Sequence, residues 1–301
     1  MRLFLLPIST RRTLIYCERI QEQVTSGQKA PLQERVINKA ATTWATWEKA
    51  DKGWQKQVTV YANKLLRRIP YEEWGLKSIP PATKQRIEHV NGGKLKFECL
   101  YPSAFLSSDK VPGVLKALAT ERQPLHRKRM WTCIAWMPVT IPFTVVPVIP
   151  NLPFFYLVFR AWSHYKALYG SRLLEHVTTN NLVHHTASKQ MDQLYAAGLL
   201  HPERHVVREN ETPAAADIER VASDIEAKTK GDQEEVMLLQ RWNGKLVAEE
   251  FHLPEMELEI ERAVEQVELA IEEKNGPQQE AKQEEAGARK TAEAKFEELR
   301  K

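Results

Sequence analysis

The chain has 301 residues, of which 27% are charged, and its 43 Lys and Arg against 39 Asp and Glu give a formal net charge of +4. This length allows one large folded unit or two modest ones, and so small a net charge does not indicate a nucleic-acid partner. The charge is unevenly placed, because residues 1–209 hold 30 basic and 15 acidic side chains, whereas residues 210–301 hold 13 and 24. We therefore predict a basic part and an acidic part with different tasks.

The basic N-terminal region, residues 1–129, is predicted to be mostly helical. Apolar residues recur every three to four positions over residues 31–69, which indicates a long amphipathic helix. Residues 71–81 are predicted to be a loop because Gly and Pro interrupt them, and residues 94–101 alternate apolar and polar side chains as a strand does. A short helix is predicted over residues 111–120.

An uncharged run of 30 residues separates Arg129 from Arg160. A run of this length is typical of a membrane segment. As one straight helix it would be about 45 Å long, against a hydrocarbon core of roughly 30 Å, and its prolines oppose a continuous helix. We therefore predict a membrane hairpin over residues 130–169, with limbs at 130–145 and 154–169, that is re-entrant or crosses the bilayer once or twice.

Three kinds of residue define the predicted hairpin. Prolines bend it, Trp and Tyr favour the membrane–water interface, and polar side chains at its edge are candidates for an ion path. The hairpin residues are Trp131, Trp136, Pro138, Pro142, Pro147, Pro150, Asn151, Pro153, Phe154, Phe155 and Tyr156, and the membrane-edge polar candidates are Arg160, Trp162 and His164. We expect membrane lipids around this hairpin. The broken backbone at membrane depth also needs hydrogen-bond partners, so we expect protein partners or self-association as well.

The chain beyond the hairpin is predicted to form three parts. Residues 170–209 are a helical post-membrane region, residues 210–276 an acidic helical region and residues 277–301 a low-complexity tail. Within the acidic region six apolar residues step by three and four, which indicates either a short coiled coil or a single solvated helix. These residues are Leu253, Met256, Ile260, Ala263, Val267 and Ala270.

No motif for catalysis, a cofactor or a metal stands out. GxGxxG, GxxxxGK[ST] and HExxH do not occur, and the three cysteines form no cluster. The neighbouring Glu72 and Glu73 look like an acid pair at a helix end or in a loop, and His184 and His185 lack a carboxylate motif beside them. We therefore expect no enzyme, no cofactor and no metal site.

Two blocks of the sequence carry a family resemblance. They are MRLFLLPISTRR at residues 1–12, and PVIPNLPFFY at 147–156 followed by RAWSHYKA at 160–167. Both resemble the fungal mitochondrial potassium/proton exchange-related family, over about the first 200 residues. The resemblance implies residence in the mitochondrial inner membrane and a link to potassium/proton exchange and organelle volume. It transfers no functional residue.

Together these observations predict a mainly α, helical membrane-anchored protein with a proline-broken apolar hairpin and an acidic helical C-terminal region. The resemblance implies a link to potassium/proton exchange. Because residues 130–159 contain no charge, we expect the protein to support or regulate this exchange as an accessory subunit. The alternative is a membrane-tethered scaffold or assembly factor that binds basic partners through its acidic helices. A third interpretation is a soluble helical protein with the uncharged run as its core.

Overall fold

The computed structural model describes residues 1–18, 52–142, 151–201, 213–229 and 234–274, together with residues 42, 46, 47 and 49. Two predictions lie outside the described residues, namely the turn prolines Pro147 and Pro150 and the low-complexity tail at 277–301. Of the long helix predicted over residues 31–69, most of the first half also lies outside them, and residues 54–67 are helical.

A four-stranded sheet makes the fold mixed α/β, so the prediction of a mainly α protein is wrong. The strands are β1 (Arg2–Pro7), β2 (Thr13–Cys17), β3 (Phe97–Tyr101) and β4 (Val183–Ala187), in the order β2-β1-β3-β4. β3 runs parallel to β1 and to β4, with Leu3 opposite Cys99 and Cys99 opposite His185. Leu3 to Leu6 are fully buried, as expected of a strand covered on both faces.

Ten continuous helical segments occur in the described part of the chain, where residues 42, 46 and 47 are helical as well. They are α1 (Trp54–Arg67), α2 (Tyr71–Ser78), α3 (Lys84–Asn91), α4 (Val111–Thr120), α5 (Gln123–Thr140), α6 (Leu152–Thr179), α7 (Lys189–Leu200), α8 (Ala215–Thr229), α9 (Asn243–Glu250) and α10 (254–274). The predicted strand at 94–101 and helix at 111–120 are present as β3 and α4. The predicted loop at 71–81 is instead mostly the helix α2.

Across the described residues, every helix is too short or too polar to cross a membrane. The predicted hairpin is corrected accordingly, because the uncharged run is shared between two helices that both extend beyond it. α5 begins with a basic stretch around Arg127 to Arg129, and α6 continues through Arg160 to Glu175. The two helices do pack against each other.

The chain divides into two compact units. The first comprises Met1–Leu5, Ile15–Tyr101 and Ser107–Ala187, and the second Leu6–Leu14, Pro102–Leu106 and Ser188–Lys301. In the first unit α6 packs along α2, α4 and α5. Its core includes side chains of the sheet, of α4 and of the second half of α6: Phe4, Phe97, Cys99, Leu115, Leu173, Leu174 and Val177.

The second unit is built around α7, which packs against α8 and α9. Tyr195 of α7 is fully buried and donates a hydrogen bond to the carbonyl of Pro7 at 3.0 Å. Ile8 accepts a backbone bond from Leu238, and α10 buries Met256, Ile260, Ala263 and Val267 completely. Most of the apolar seam that the spacing predicts is therefore covered within this unit.

Candidate functional site

A buried cluster of polar side chains lies where α2, α5 and α6 meet in the first unit. It comprises Glu73 of α2, His126 of α5, and Arg160, Ser163 and His164 of α6, which we call the Glu73 cluster. Each is at most 8% exposed. A charged group so deeply buried is costly unless it is paired, so the contacts within the cluster decide its chemistry.

Local sequence places each side chain. Pro70 immediately precedes α2. Glu73 lies in the first turn of α2, where the positive end of the helix dipole favours a carboxylate. Arg160, Ser163 and His164 stand at positions i, i+3 and i+4 of α6 and therefore share one face. His126 follows a proline in the first turn of α5, where the missing amide is tolerated.

Glu73 is the acceptor at the centre of the cluster. Arg160 donates to both of its oxygens, Nη1 to Oε1 at 2.8 Å and Nη2 to Oε2 at 3.1 Å. Ser163 Oγ donates to Oε1 at 2.6 Å. A bidentate hydrogen bond from a guanidinium is among the strongest that a carboxylate accepts. The negative charge of Glu73 is therefore compensated in the protein interior.

The histidines continue the network. Arg160 Nη2 lies 3.0 Å from Nε2 of His164, and since a guanidinium only donates, this nitrogen accepts. The proton of neutral His164 then belongs on Nδ1, which lies 3.1 Å from Nδ1 of His126 and 3.6 Å from Glu73 Oε2. His126 in turn carries its proton on Nε2, which has no hydrogen-bond partner among the described residues.

Burial and neighbouring charges set the protonation of the cluster. Burial raises the pKa of Glu73, but the hydrogen bond from Ser163 and the charge of Arg160 outweigh it and hold the pKa below its usual value. Burial lowers the pKa of His126 and of His164 to about 4, against the opposing pull of Glu73. Near pH 7 the cluster therefore holds one anion, one cation and two neutral imidazoles.

Glu73, His126 and His164 are also residues of the types that bind a divalent metal. Their candidate ligand atoms all lie within 4.8 Å of one another, and two imidazoles with a carboxylate suit Zn²⁺. Arg160, however, already occupies both oxygens of Glu73 and one nitrogen of His164, and its charge opposes a second cation. The arrangement fits an internal ion pair better than a metal centre.

The structure brings together two of the three membrane-edge candidates. Arg160 and His164 are both in the Glu73 cluster, whereas Trp162, two residues after Arg160, lies on a different face of α6, with Lys77 Nζ 6.0 Å and Lys166 Nζ 5.8 Å from its ring centre. The sequence reasoning missed Glu73, His126 and Ser163. The spacing of Arg160, Ser163 and His164 is the local signal that could have found Ser163.

The predicted hairpin residues have varied positions in the described structure. Asn151 caps α6, accepting from the amide of Phe154 at 3.0 Å and donating to the carbonyl of Thr140 at 2.5 Å. Pro138 lies inside α5 and Pro153 in the first turn of α6. Of the rest, Phe154 is half-buried, and the exposed ones are Trp131, Trp136, Pro142, Phe155 and Tyr156.

A family model described as mitochondrial K+-H+ exchange-related matches residues 2–178. The chain belongs to this mitochondrial K+-H+ exchange-related family. The predicted resemblance is thereby confirmed, and the matched residues include the whole Glu73 cluster. Membership relates the chain to mitochondrial K+-H+ exchange.

Two curated relatives share part of this region, and both are described only as uncharacterized proteins. One, from Schizosaccharomyces pombe, is 29% identical over 197 residues, which cover 64% of this chain and 82% of the relative. The other, from Saccharomyces cerevisiae, is 26% identical over 193 residues, which cover 56% of this chain and 60% of the relative. The match thus spans less than two thirds of the Saccharomyces protein. No solved structure matches the chain significantly.

Proposed function

We propose that this protein supports potassium/proton exchange at the mitochondrial inner membrane as an accessory component of the exchange system. The observation that carries the proposal is the match of residues 2–178 to the exchange-related family. The same residues contain strands β1, β2 and β3, the packed helices α2, α4, α5 and, but for its last residue, α6, and the Glu73 cluster.

The chemistry of the Glu73 cluster supports an accessory role. A carrier of protons or cations usually presents ionisable groups that change partner along a path. In this cluster Glu73 is neutralised by Arg160, and the low pKa of His126 and of His164 keeps both imidazoles neutral near pH 7. The cluster thus joins three helices and offers no unpaired charge to a passing ion.

The proposal is tested with mitochondria from cells that lack this protein. Swelling in potassium acetate, followed by light scattering, is expected to be several-fold slower than in mitochondria that contain it. An added potassium/proton ionophore should restore the rate, which shows that only the exchange step is limiting. Swelling at the normal rate in mitochondria without the protein would overturn the proposal.

A second measurement separates an accessory component from a carrier. The purified full-length chain, reconstituted into vesicles with an internal pH dye, is expected to give no potassium-driven proton flux above that of empty vesicles. The ionophore again serves as the positive control. Flux that depends on this chain alone would contradict the accessory role while keeping the link to exchange.

A further inference from the structure

The exposed apolar side chains of the described residues concentrate on the two packed helices α5 and α6. Nine of the fourteen large hydrophobic side chains that are exposed lie between residues 131 and 165, on or next to α5 and α6. We call the following part of this surface the apolar tip: Trp131 (59% exposed), Trp136 (56%), Val139 (56%), Ile141 (56%), Phe155 (59%) and Tyr156 (42%).

The residues of the apolar tip lie on α5 from its middle to just past its end, and at the start of α6. α5 ends at Thr140 and α6 begins at Leu152, and the bond from Asn151 to the carbonyl of Thr140 ties these two ends together. Water-facing helix surfaces normally carry charged side chains, but none occurs between Arg129 and Arg160. An exposed apolar surface of this kind marks a binding site for a protein or a membrane.

A basic collar borders the apolar tip. Arg127, Lys128 and Arg129 are all exposed and lie on α5 immediately before Trp131. Positive side chains at this position complement the phosphates of anionic lipids, and Trp and Tyr favour the boundary between head groups and hydrocarbon. A protein partner would need an acidic rim around an apolar pocket to match the same pattern, whereas a bilayer surface provides both layers in this order.

The length of the apolar tip fits one leaflet. From Arg129 to Ile141 the chain rises about 18 Å as a helix, against roughly 15 Å for half of the hydrocarbon core.

We propose that the apolar tip docks into the surface of an anionic phospholipid bilayer, with Arg127, Lys128 and Arg129 on the head groups. This inference deepens the proposed function, on whose inner-membrane location it rests, by naming the partner as lipid. Docking from one side holds the first unit at the membrane and requires no crossing.

The test is co-sedimentation of the full-length chain with vesicles. Vesicles of phosphatidylcholine with 30% phosphatidylglycerol are expected to bind the chain at least tenfold more tightly than phosphatidylcholine alone. The tip variant Trp136→Glu/Phe155→Glu should lose this binding by at least tenfold. The collar variant Lys128→Glu/Arg129→Glu should lose the preference for the anionic vesicles.

The control variant is Leu258→Glu, because Leu258 is equally exposed, at 57%, on α10 of the second unit. It should bind vesicles as the unchanged chain does. Thermal unfolding of each variant shows that the surface changes leave the fold intact. Unchanged lipid binding by the tip variant, or no binding by the full chain, would overturn the inference.

Two further outcomes are informative. If the tip variant turns a dimer into a monomer while lipid binding is unchanged, a second copy covers the tip and the lipid inference is wrong. If vesicles bind as expected but mitochondria without the protein swell normally, docking stands and the proposed role in exchange fails. The two proposals are therefore tested separately.

Discussion

Glu73 and Arg160 form an ion pair that is almost completely removed from water. Removing two charges from water costs several kcal/mol, and the pair returns this only while both partners are present with good geometry. Here Arg160 reaches both oxygens of Glu73, and Ser163 fills a further acceptor site. The pair therefore stabilises the fold only while both charged partners are present.

Replacing one partner of this pair should be far worse than replacing both. Arg160→Gln leaves the carboxylate of Glu73 buried without its cation, and we expect the free energy of unfolding to fall by about 3–5 kcal/mol. In the double variant Glu73→Gln/Arg160→Gln no charge is left unpaired, so most of this loss should be recovered. Urea unfolding at pH 7.5 measures both, and a double variant as unstable as the single one would contradict this account.

The two buried histidines make stability depend on pH. The pKa of His126 and of His164 is about 4 in the folded chain against an ordinary 6.5, so between these values the unfolded chain binds protons that the folded chain does not. Their contribution is complete above pH 6.5 and should fall as pH drops toward 4, by up to about 3 kcal/mol for each histidine.

Urea unfolding midpoints between pH 7.5 and 4.5 check this expectation. His126→Asn should make the decline shallower, because one of the two shifted groups is removed. His89→Gln is the matched control, since His89 is exposed on α3 and should leave the decline unchanged. Equal declines in the unchanged chain and in His126→Asn would exclude His126 as a source.

The cluster was only half predictable for a reason that concerns distance along the chain. Arg160 and His164 stand out from sequence because they interrupt an apolar stretch. Their acceptor Glu73 is 87 residues away from Arg160, and only the packing of α2 on α6 brings it there. A charge pattern read along the chain contains no information about that crossing.

At the level of helices, α2 and α6 cross with almost no space between them. A Cβ added to Gly170 would collide with the carbonyl of Leu76 and come within 3.0 Å of that of Ile79. Glycine thus permits the approach that places Glu73 beside Arg160. Pro80, which the sequence reasoning took as a sign of a loop, lies just past the end of α2, and Pro70 lies just before its start.

Gly170→Ala should push α2 away from α6. Overpacking of this kind typically costs 1–3 kcal/mol, and the shift should also loosen the Glu73–Arg160 pair. Gly113→Ala on α4 is the matched control, because no atom lies within 4 Å of a Cβ added there, and alanine favours a helix. Thermal unfolding of both variants decides, and equal stability of the two would refute the close crossing.

Elements with strong local patterns were predicted, and elements defined by their neighbours were not. β3 and α4 follow their own periodicity closely enough to be found from sequence. β1 is a short apolar run whose meaning depends on β2 and β3 beside it. The uncharged run of 30 residues has the composition of a membrane segment, and the sequence therefore indicated one. Composition alone does not show that the run is divided between α5 and α6, which each continue into charged residues.

For the molecule as a whole, the described residues 234–274 of the acidic C-terminal region are part of the folded structure. Met256, Ile260 and Val267 of α10 and Leu239 before it are fully buried in the second unit. The spacing predicted an apolar seam without indicating that the same chain covers it. The outward face of α10 keeps exposed glutamates, among them Glu261 and Glu272.

Because one face of α10 is buried and the other is exposed and acidic, truncating the region and reversing its surface charge should give opposite results. Both are tests of the scaffold alternative. Truncation after residue 209 removes α10 together with α8 and α9, which pack on α7, so α7 should become sensitive to protease and the product should aggregate. Glu261→Lys/Glu272→Lys changes only the exposed face, and its unfolding free energy should stay within about 0.5 kcal/mol of the unchanged chain. Loss of a basic partner by this variant would support the scaffold, whereas loss by the truncated chain alone reflects unfolding. A truncated chain that resists protease as the full chain does would show that the second unit does not need its acidic half.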